Sequence, residues 1–313
     1  MVKFCVAGAA GRMGNAIIAE AIMKGHQIVG AVEAPNTPCI GKSLKELNIA
    51  NSDTKILGSD KLNEALTDAD VYISFTIPSA ELINISIVAN QGKRIILGTT
   101  GFTPEQTQQV LAAMSGKVPA VFSPNYSVGV NILFKIAEAL KTFPQGYDFG
   151  ISEIHHTGKK DAPSGTSKKL EQIISQARNY SKIIYGREGI SPRQPAELES
   201  VAIRAGGVPG IHDIIVAGPY EMLRIEHIAF SRNVFAQGAV FAADWLSKQN
   251  EPKLPGQPEA RHVCQEDICS RLVLGRQAIP QNAQHAWIMI QSINFPLSSR
   301  QWQQYAAGAA AQF

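Results

Sequence analysis

The sequence predicts an α/β chain: a doubly wound parallel sheet, followed by an α+β domain whose own sheet is mostly antiparallel or mixed. Strand-like and helix-like segments alternate over residues 1–127, which implies a parallel sheet covered by helices on both faces. Over residues 128–229 several short strands follow one another with turn signals between them. The length of 313 residues fits two domains.

The first domain carries five strand signals. Each is a short apolar run bounded by turn residues or by a helix signal. Met13, Ile17 and Ala21 place a helix after the first run, and Thr103-Pro104 begins another, because proline is favoured at the first helical position. The predicted strands cover residues 2–7, 27–33, 70–76, 94–98 and 120–122.

The second domain mixes helices and strands. Helices are predicted over residues 131–140 and 164–177. A further helix over residues 232–246 is expected to return to the first domain, so that residues 230–253 complete it. The predicted strands of this domain cover residues 149–156, 201–205, 213–216 and 221–228.

Composition excludes several classes of protein. A formal charge of +3 and 18 % charged residues give no reason to expect a nucleic-acid partner. No apolar run is long enough to cross a bilayer, and the N-terminus enters a strand without a secretion signal. The four cysteines show no metal-ligand spacing, so no metal is predicted, and Cys5 is expected to be a buried free thiol. We therefore expect a soluble, cytoplasmic protein without a membrane partner.

The C-terminal tail, residues 254–313, differs in composition from the rest. It contains no lysine, is rich in glutamine, and carries Trp287 and Trp302 in a stretch of poor periodicity. It is interpreted as a peripheral extension, or alternatively as an appended or out-of-frame segment, and no function is assigned to it.

A glycine-rich segment between the first strand and the first helix predicts a dinucleotide site. Gly8 permits a tight turn, Gly11 lets the backbone approach a pyrophosphate, and Gly14 lets helix and strand pack closely. The spacing G-x-x-G-x-x-G is not the commonest one, so a tight turn without a ligand is the alternative. The candidate contacts in this segment are Gly8, Ala9, Ala10, Gly11, Arg12 and Met13.

Glu33 is further evidence for a dinucleotide site. It ends the second strand, where a carboxylate accepts hydrogen bonds from ribose hydroxyls. Because Ala34 follows it instead of an arginine, NADH is favoured over NADPH, although Arg12 leaves dual use open. Two loops at the carboxyl ends of later strands are further candidates, with simple turn chemistry as the alternative: Gly98, Thr99 and Thr100, and Ser123, Pro124, Asn125 and Tyr126.

Two histidines and two lysines precede a helix start at residues 153–166. Histidine suits proton transfer near neutral pH, and adjacent strand residues such as His155 and His156 point to opposite faces. Lys159 and Lys160 supply positive charge, and the helix amides that follow Ser164 bind carboxylates. The segment therefore predicts a proton donor beside a site for a small anion, with Gly165 and Thr166 at the helix start.

Four segments resemble those of the dihydrodipicolinate reductase (4-hydroxy-tetrahydrodipicolinate reductase) family. They occur in the family's order within roughly the first 250 residues, and the tail departs from the pattern. They are V-A-G-A-A-G-R-M-G, G-T-T-G-F, S-P-N-Y-S-V-G-V-N and E-I-H-H-T-G-K-K-D-A-P-S-G-T. The resemblance implies NAD(P)H-dependent reduction of a small cyclic dicarboxylate in diaminopimelate and lysine biosynthesis, by a homotetramer built through the second domain.

The resemblance also implies roles for the site residues. His155 and Lys159 would transfer protons to or from the substrate. His156, Gly165 and Thr166 would bind the substrate, and the remaining candidates would bind the cofactor. Two alternatives are kept: another NAD(P)-dependent amino-acid or keto-acid dehydrogenase, and a dinucleotide sensor without catalytic activity.

Overall fold

The computed structural model describes residues 1–248, so the tail at residues 254–313 and the cysteines Cys264 and Cys269 lie outside the described residues. The first sheet contains β1 (Lys3–Ala7), β2 (Gln27–Glu33), β3 (Ile56–Gly58), β4 (Val71–Ser74), β5 (Arg94–Leu97) and β6 (Ala120–Phe122). Its helices are α1 (Arg12–Met23), α2 (Leu62–Ala65), α3 (Pro78–Asn90) and α4 (Pro104–Met114). There follow α5 (Val128–Ala139), β7 (Asp148–His155), α6 (Gly165–Arg178), β8 (Lys182–Ile184), β9 (Glu197–Arg204), β10 (Ile211–Ala217), β11 (Met222–Ile228) and α7 (Asn233–Ser247).

The first sheet is entirely parallel, in the order β3-β2-β1-β4-β5-β6. The chain adds strands on one side of β1 and then, from β4 onward, on the other. Carboxyl ends of strands frame a crevice at such a reversal, and ligands of open α/β sheets bind there. The doubly wound parallel sheet predicted from the sequence is thereby confirmed.

Both faces of the first sheet are buried. Along β1, Phe4 and Val6 belong to the core that includes α1 and α7, whereas Cys5 and Ala7 belong to the core on the opposite face. This alternation is the period of two that a strand imposes. Burial raises the pKa of the Cys5 thiol to about 12, so Cys5 is the inert, buried free thiol that was predicted.

The second sheet is mixed, in the order β11-β10-β7-β9-β8. Strand β10 runs antiparallel to β7 and β11, but β9 runs parallel to β7 and to β8. Of the two predicted alternatives, mostly antiparallel or mixed, the structure has the mixed sheet. One face packs against α5 and α6 through a core that contains Phe134, Phe149 and Leu170.

The opposite face of the second sheet carries a row of isoleucines. The strand register aligns one isoleucine from each of four neighbouring strands: Ile203, Ile154, Ile211 and Ile228. Ile203 and Ile228, at the two ends of the row, are each 43 % exposed. We call this surface the isoleucine face.

Two short strands, β3 and β8, were not predicted. Each has three residues, too few for a period of two to emerge from the surrounding polar sequence. Helix α5 also begins three residues before the predicted position 131, because the Ser127 side chain accepts a hydrogen bond from Val130 N–H and caps it. Over the described part of the chain, no helix combines the length and apolar character needed to span a membrane.

Candidate active site

The glycine turn between β1 and α1 has the geometry that its sequence predicts. Gly8 adopts a φ of +71°, in the left-handed region that favours glycine. A Cβ on Gly14 would lie 2.1 Å from the carbonyl oxygen of Gly8, so only glycine fits where the helix passes over the turn. No side chain caps the start of α1 at Gly11. The amides at this end are thus free to bind an anion, and the turn leaves the backbone bare for a pyrophosphate.

Glu33 lies beside the glycine turn. Its Oε2 accepts a hydrogen bond from Ala10 N–H at 3.1 Å, and its Oε1 accepts one from Ala34 N–H at 3.2 Å. The carboxylate borders a cavity of about 430 Å³ that Thr37 and Lys42 also line. These two residues were not among the sequence candidates, because the loop that carries them shows no periodic signal. The arrangement fits the ribose of a dinucleotide, with one lysine in the same cavity.

The loop after β4 also contains a residue near the crevice that was not among the sequence candidates, Thr76. Thr76 N–H donates to the Thr99 hydroxyl at 3.0 Å, and the Thr76 hydroxyl donates to the buried carboxyl of Glu81 at 2.6 Å. Burial raises the pKa of Glu81 above its ordinary value, against hydrogen bonds from Ser74 and Thr76 that lower it. Thr99 is itself 2 % exposed, so its hydroxyl holds this loop in place beside the crevice.

The loop after β6 connects the two sheets. Ser123 Oγ donates to Asn125 O at 2.8 Å, and Asn125 Oδ1 accepts from Ser127 N–H at 2.8 Å. Asn125 Nδ2 donates to Thr166 Oγ1 at 2.9 Å, which brings this candidate cofactor loop against the first turn of α6. The Tyr126 side chain, in contrast, is buried with its hydroxyl on the carbonyl oxygens of Leu97 and Val121, so the phenol supports the loop instead of facing the crevice.

His155 ends β7 in a buried ionic cluster. Its Nδ1 lies 2.7 Å from Oε2 of Glu153, although the ring N–H is not aimed at that oxygen well enough to form a regular hydrogen bond. Burial raises the pKa of Glu153, but the close contact with His155 and the hydrogen bond from Ser164 outweigh it and bring the value to about 2. An ionised carboxylate therefore lies against the imidazole that the sequence marks for proton transfer.

His212 of β10 lies in the same cluster. Its Nε2 is 3.1 Å from the Ser164 hydroxyl and 3.9 Å from Glu153 Oε2. Burial first, and then the neighbouring His155, lower its pKa to about 3, so His212 is neutral. Glu153, His155 and His212 could together offer three ligand atoms to a metal ion, but the Arg204 guanidinium, 3.1 Å from Glu153 Oε1, already supplies the positive charge there.

His156 and Lys159 lie outside this buried cluster, toward the crevice. His156 Nε2 is 3.5 Å from an Arg232 nitrogen. Burial first, and then Arg232, His155, Lys159 and Arg12, hold the pKa of His156 below its usual range. Arg12 begins α1 just after the glycine turn, so His156 lies within electrostatic reach of that turn.

Helix α6 supplies the start of the anion site. Ser164 caps it by accepting a hydrogen bond from Ser167 N–H, as its N-cap position predicts. Gly165 is exposed, with open space where a Cβ would be, and Thr166 is 9 % exposed. Lys159 forms an ion pair with Asp161 at 2.9 Å just before this turn. The first turn of α6 thus offers backbone amides and a hydroxyl, groups that can bind an anion, and Lys159 lies in the loop that leads into it.

Glu153, Arg204, His212 and Arg232 were not among the sequence candidates. Glu153 could have been found, since it stands two residues before His155 on a strand and so shares its face. Arg204, His212 and Arg232 come from other elements, and only the fold brings them to the site.

Two family models match this chain and together cover most of it. Residues 2–126 match "Dihydrodipicolinate reductase, N-terminus", and residues 129–256 match "Dihydrodipicolinate reductase, C-terminus". The 4-hydroxy-tetrahydrodipicolinate reductase of Methanosarcina barkeri is 43 % identical over 258 residues, which covers 80 % of this chain and 95 % of the relative. The enzyme of the same name from Syntrophotalea carbinolica is 41 % identical over 253 residues, with 79 % and 94 % covered.

Solved structures share the fold. A dipicolinate-bound dihydrodipicolinate reductase from Paenisporosarcina sp. TG-14 superposes with a TM-score of 0.64 at 22 % identity, covering 86 % of this chain and 99 % of that one. Aspartate semialdehyde dehydrogenase II from Vibrio cholerae gives a TM-score of 0.51 at 9 % identity, covering 80 % and 100 %. At these identities the superpositions support the architecture of two sheets and nothing more specific.

Proposed function

Since the chain belongs to the dihydrodipicolinate reductase family, we propose that it reduces 4-hydroxy-tetrahydrodipicolinate to tetrahydrodipicolinate with NAD(P)H, in diaminopimelate and lysine biosynthesis. The hydrogen bond between Asn125 and Thr166 is the observation that carries this proposal. It joins the loop at the carboxyl end of β6 to the first turn of the helix that starts the anion site. A reduced nicotinamide above β6 and a dicarboxylate at α6 would therefore share one crevice.

We propose the following division of the chain. Residues 1–127, completed by residues 230–253, hold the dinucleotide, and residues 128–229 bind the substrate and assemble the oligomer. The proposed cofactor contacts are the glycine turn from Gly8 to Met13, Glu33, Gly98 to Thr100 and Ser123 to Tyr126. Tyr126 would contribute through its backbone atoms. The close packing of α1 on the turn at Gly14 and the absence of a side-chain cap at the start of α1 support the fit of a pyrophosphate at this turn.

The substrate carries two carboxylates, and the site offers matching groups. Lys159 and His156 are proposed to bind one carboxylate, and the Gly165 and Thr166 amides the other. The structural neighbour from Paenisporosarcina binds dipicolinate, a planar ring with two carboxylates. Dipicolinate belongs to the same chemical class as the substrate proposed for this chain.

The protein's own residues would manage charge and protons during reduction. The 4-hydroxyl group would leave as water, which gives the conjugated unsaturated ring, and bound NAD(P)H would supply a hydride to that ring. Negative charge would build toward the ring nitrogen, and His155 or Lys159 would donate the proton that neutralises it, so that one hydride and one proton enter the ring. Orientation by the anion site and stabilisation of this charge account for most of the acceleration. Closure of the crevice would exclude water.

Both dinucleotides are proposed as cofactors, with NADH preferred. Glu33 is followed by Ala34 and not by an arginine, so the position after the carboxylate offers no cation to a 2′-phosphate and the carboxylate would repel one. Lys42 lines the same cavity and supplies one positive charge, which permits NADPH to bind.

We propose that the chain forms a homotetramer through the isoleucine face. The face is apolar along one row, and α5 and α6 pack on its opposite side. A second copy that presented the same row would bury its apolar side chains against one another. The cytoplasmic location stays a prediction.

The direct test is a coupled assay. Aspartate semialdehyde and pyruvate are condensed by a synthase, and oxidation of NADH or NADPH is followed at 340 nm in parallel reactions. We expect turnover with both cofactors and a lower KM for NADH. Oxidation that needs other amino or keto acids would favour the alternative dehydrogenase, and binding of dinucleotide without any turnover would favour the sensor.

A further inference from the structure

Glu153 is a fully buried carboxylate with partners from four parts of the second domain. Its Oε2 lies 2.7 Å from Nδ1 of His155 on the same strand and 3.9 Å from Nε2 of His212 on β10. Its Oε1 accepts hydrogen bonds from Arg204 at 3.1 Å and from Ser164 N–H at 3.0 Å. A buried charge needs such partners, and here each partner also belongs to the candidate site.

We infer that Glu153 is a positioning residue, which acts through His155 and fixes both the orientation and the tautomer of its imidazole. This inference rests on the proposed function. With the carboxylate at Nδ1, the neutral ring keeps its proton on Nδ1, and Nε2 is the nitrogen that exchanges a proton with the substrate. Nε2 lies beside Gly210: a Cβ at that glycine would stand only 3.1 Å from it. Any side chain at this position would therefore crowd Nε2, which glycine avoids.

The same carboxylate is linked to the second proton-transfer residue. Arg204 donates both to Glu153 Oε1 and, at 2.6 Å, to the backbone oxygen of Asp161. Asp161 in turn holds the Lys159 ammonium at 2.9 Å. One chain of contacts thus sets the positions of His155 and Lys159 relative to each other.

The surroundings of His155 make Glu153 the one counter-charge at the ring among the described residues. His212 is neutral, and its Nε2 is engaged with the Ser164 hydroxyl. The other titratable or charged groups nearby are His156, which follows the strand, Arg204 on β9, and Lys159 with its partner Asp161 in the loop. Asp161 is paired with Lys159, so removal of the Glu153 charge takes away the one anion in direct contact with the ring.

The test is Glu153→Gln in the full chain, with Glu171→Gln as the matched control. Glu171 is also a buried carboxylate of the second domain, 4 % exposed, within α6. We expect kcat for Glu153→Gln to fall at least tenfold, with the Kd for NADH within twofold of wild type. The alkaline limb of the kcat profile should move to lower pH, because the ring has lost its counter-ion. An unmoved pH profile would overturn the inference even if activity fell, because a purely structural role predicts that result.

A second measurement tests the inference even if Glu153→Gln fails to fold. Imidazole ¹⁵N shifts of histidine-labelled wild type report the tautomer of His155, with His155→Gln used for assignment. A proton on Nδ1 in the neutral ring supports the inference, and a proton on Nε2 overturns it. If the wild type showed no turnover, the proposed function would be rejected. The inference about the His155 tautomer would still be tested, because the tautomer is measured without substrate.

Discussion

Asn125 donates a hydrogen bond to the Thr166 hydroxyl over 2.9 Å, from a loop of the first sheet to the first turn of a helix on the second. The loop is fixed from both sides, since Asn131 Nδ2 donates to Asn125 O at 3.0 Å and Asn125 Oδ1 accepts from Ser127 N–H. The helix turn is fixed by the Ser164 cap. The anchored loop and the capped helix turn therefore place the candidate anion site at the edge of the candidate dinucleotide crevice.

Thr166→Val tests this connection. The change keeps the shape but removes the hydroxyl, so Asn125 loses its partner and the substrate loses a donor. A hydrogen bond contributes about 1 kcal/mol, so we expect KM for the substrate to rise roughly fivefold to tenfold, with little change in NADH affinity. Steady-state kinetics measure the effect, and Thr107→Val on the surface of α4 serves as the control. A normal KM would show that the hydroxyl contributes nothing to substrate binding.

Lys159→Ala should damage substrate binding and turnover together. The ammonium group is proposed to bind a carboxylate and to donate a proton, whereas the dinucleotide is held by other elements. We expect kcat/KM to drop by about two orders of magnitude or more, with dinucleotide Kd unchanged. Lys160→Ala is the matched control, since that lysine is adjacent and exposed. An equal loss of NADH binding would contradict the division into two sites.

Glu33→Gln should change cofactor preference. The neutral amide keeps an acceptor for Ala10 N–H but loses the charge that favours ribose hydroxyls and repels a 2′-phosphate. Charged hydrogen bonds contribute about 1.5–3 kcal/mol, so NADH affinity should fall about tenfold or more, while NADPH affinity holds or improves. Fluorescence titration with both dinucleotides measures this, beside the exposed-site control Glu64→Gln. An equal loss of affinity for NADH and NADPH would mean that Glu33 only stabilises the glycine turn.

Gly14→Ala should abolish dinucleotide binding. The added methyl would stand 2.1 Å from Gly8 O and 2.8 Å from Ala9 Cα, so the helix must move away from the turn that cradles the pyrophosphate. Gly146→Ala is the control, because nothing lies within 4 Å of a Cβ there. Calorimetry with NADH and a thermal melt of each variant measure the outcome. Normal binding by Gly14→Ala would show that this turn is not the pyrophosphate site.

His212 should make the folded protein sensitive to mild acid. Its pKa is about 3 in the fold against an ordinary 6.5, so unfolding takes up a proton once the pH drops below 6.5. Stability is therefore greatest above pH 6.5 and declines as the pH falls toward 3, by about 1.4 kcal/mol per pH unit at most. Between pH 7.5 and 5.5, wild type should lose about 1.4 kcal/mol more than His212→Gln in urea denaturation. Equal losses would contradict a neutral, buried His212.

The first sheet was predictable because its signals are local. Each strand from β1 to β6 except β3 is an apolar run, and Gly8, Gly11 and Gly14 stand between a strand and a helix, where their role follows from sterics alone. The cap at Ser164 is equally local, since the cap and its partner Ser167 are three residues apart.

The ionic cluster around His155 was only half predictable. Glu153 lies on the same strand and face as His155, so a period of two connects them. Arg204 and His212 reach the cluster because β9 and β10 both pair with β7, an arrangement of strands that no short-range pattern encodes.

The sequence by itself determined which groups this protein has for chemistry: a glycine turn, an acid after the second strand, and imidazoles and ammonium groups before a helix start. Each of these depends on neighbours within a few residues, where covalent geometry and hydrogen-bond reach leave few alternatives. Only the tertiary structure decided that Asn125 meets Thr166, that Lys42 shares a cavity with Glu33, and that Glu153 is held between His155 and Arg204. Such contacts arise from the packing of distant segments, so they are set by the burial of the whole core and not by any one motif.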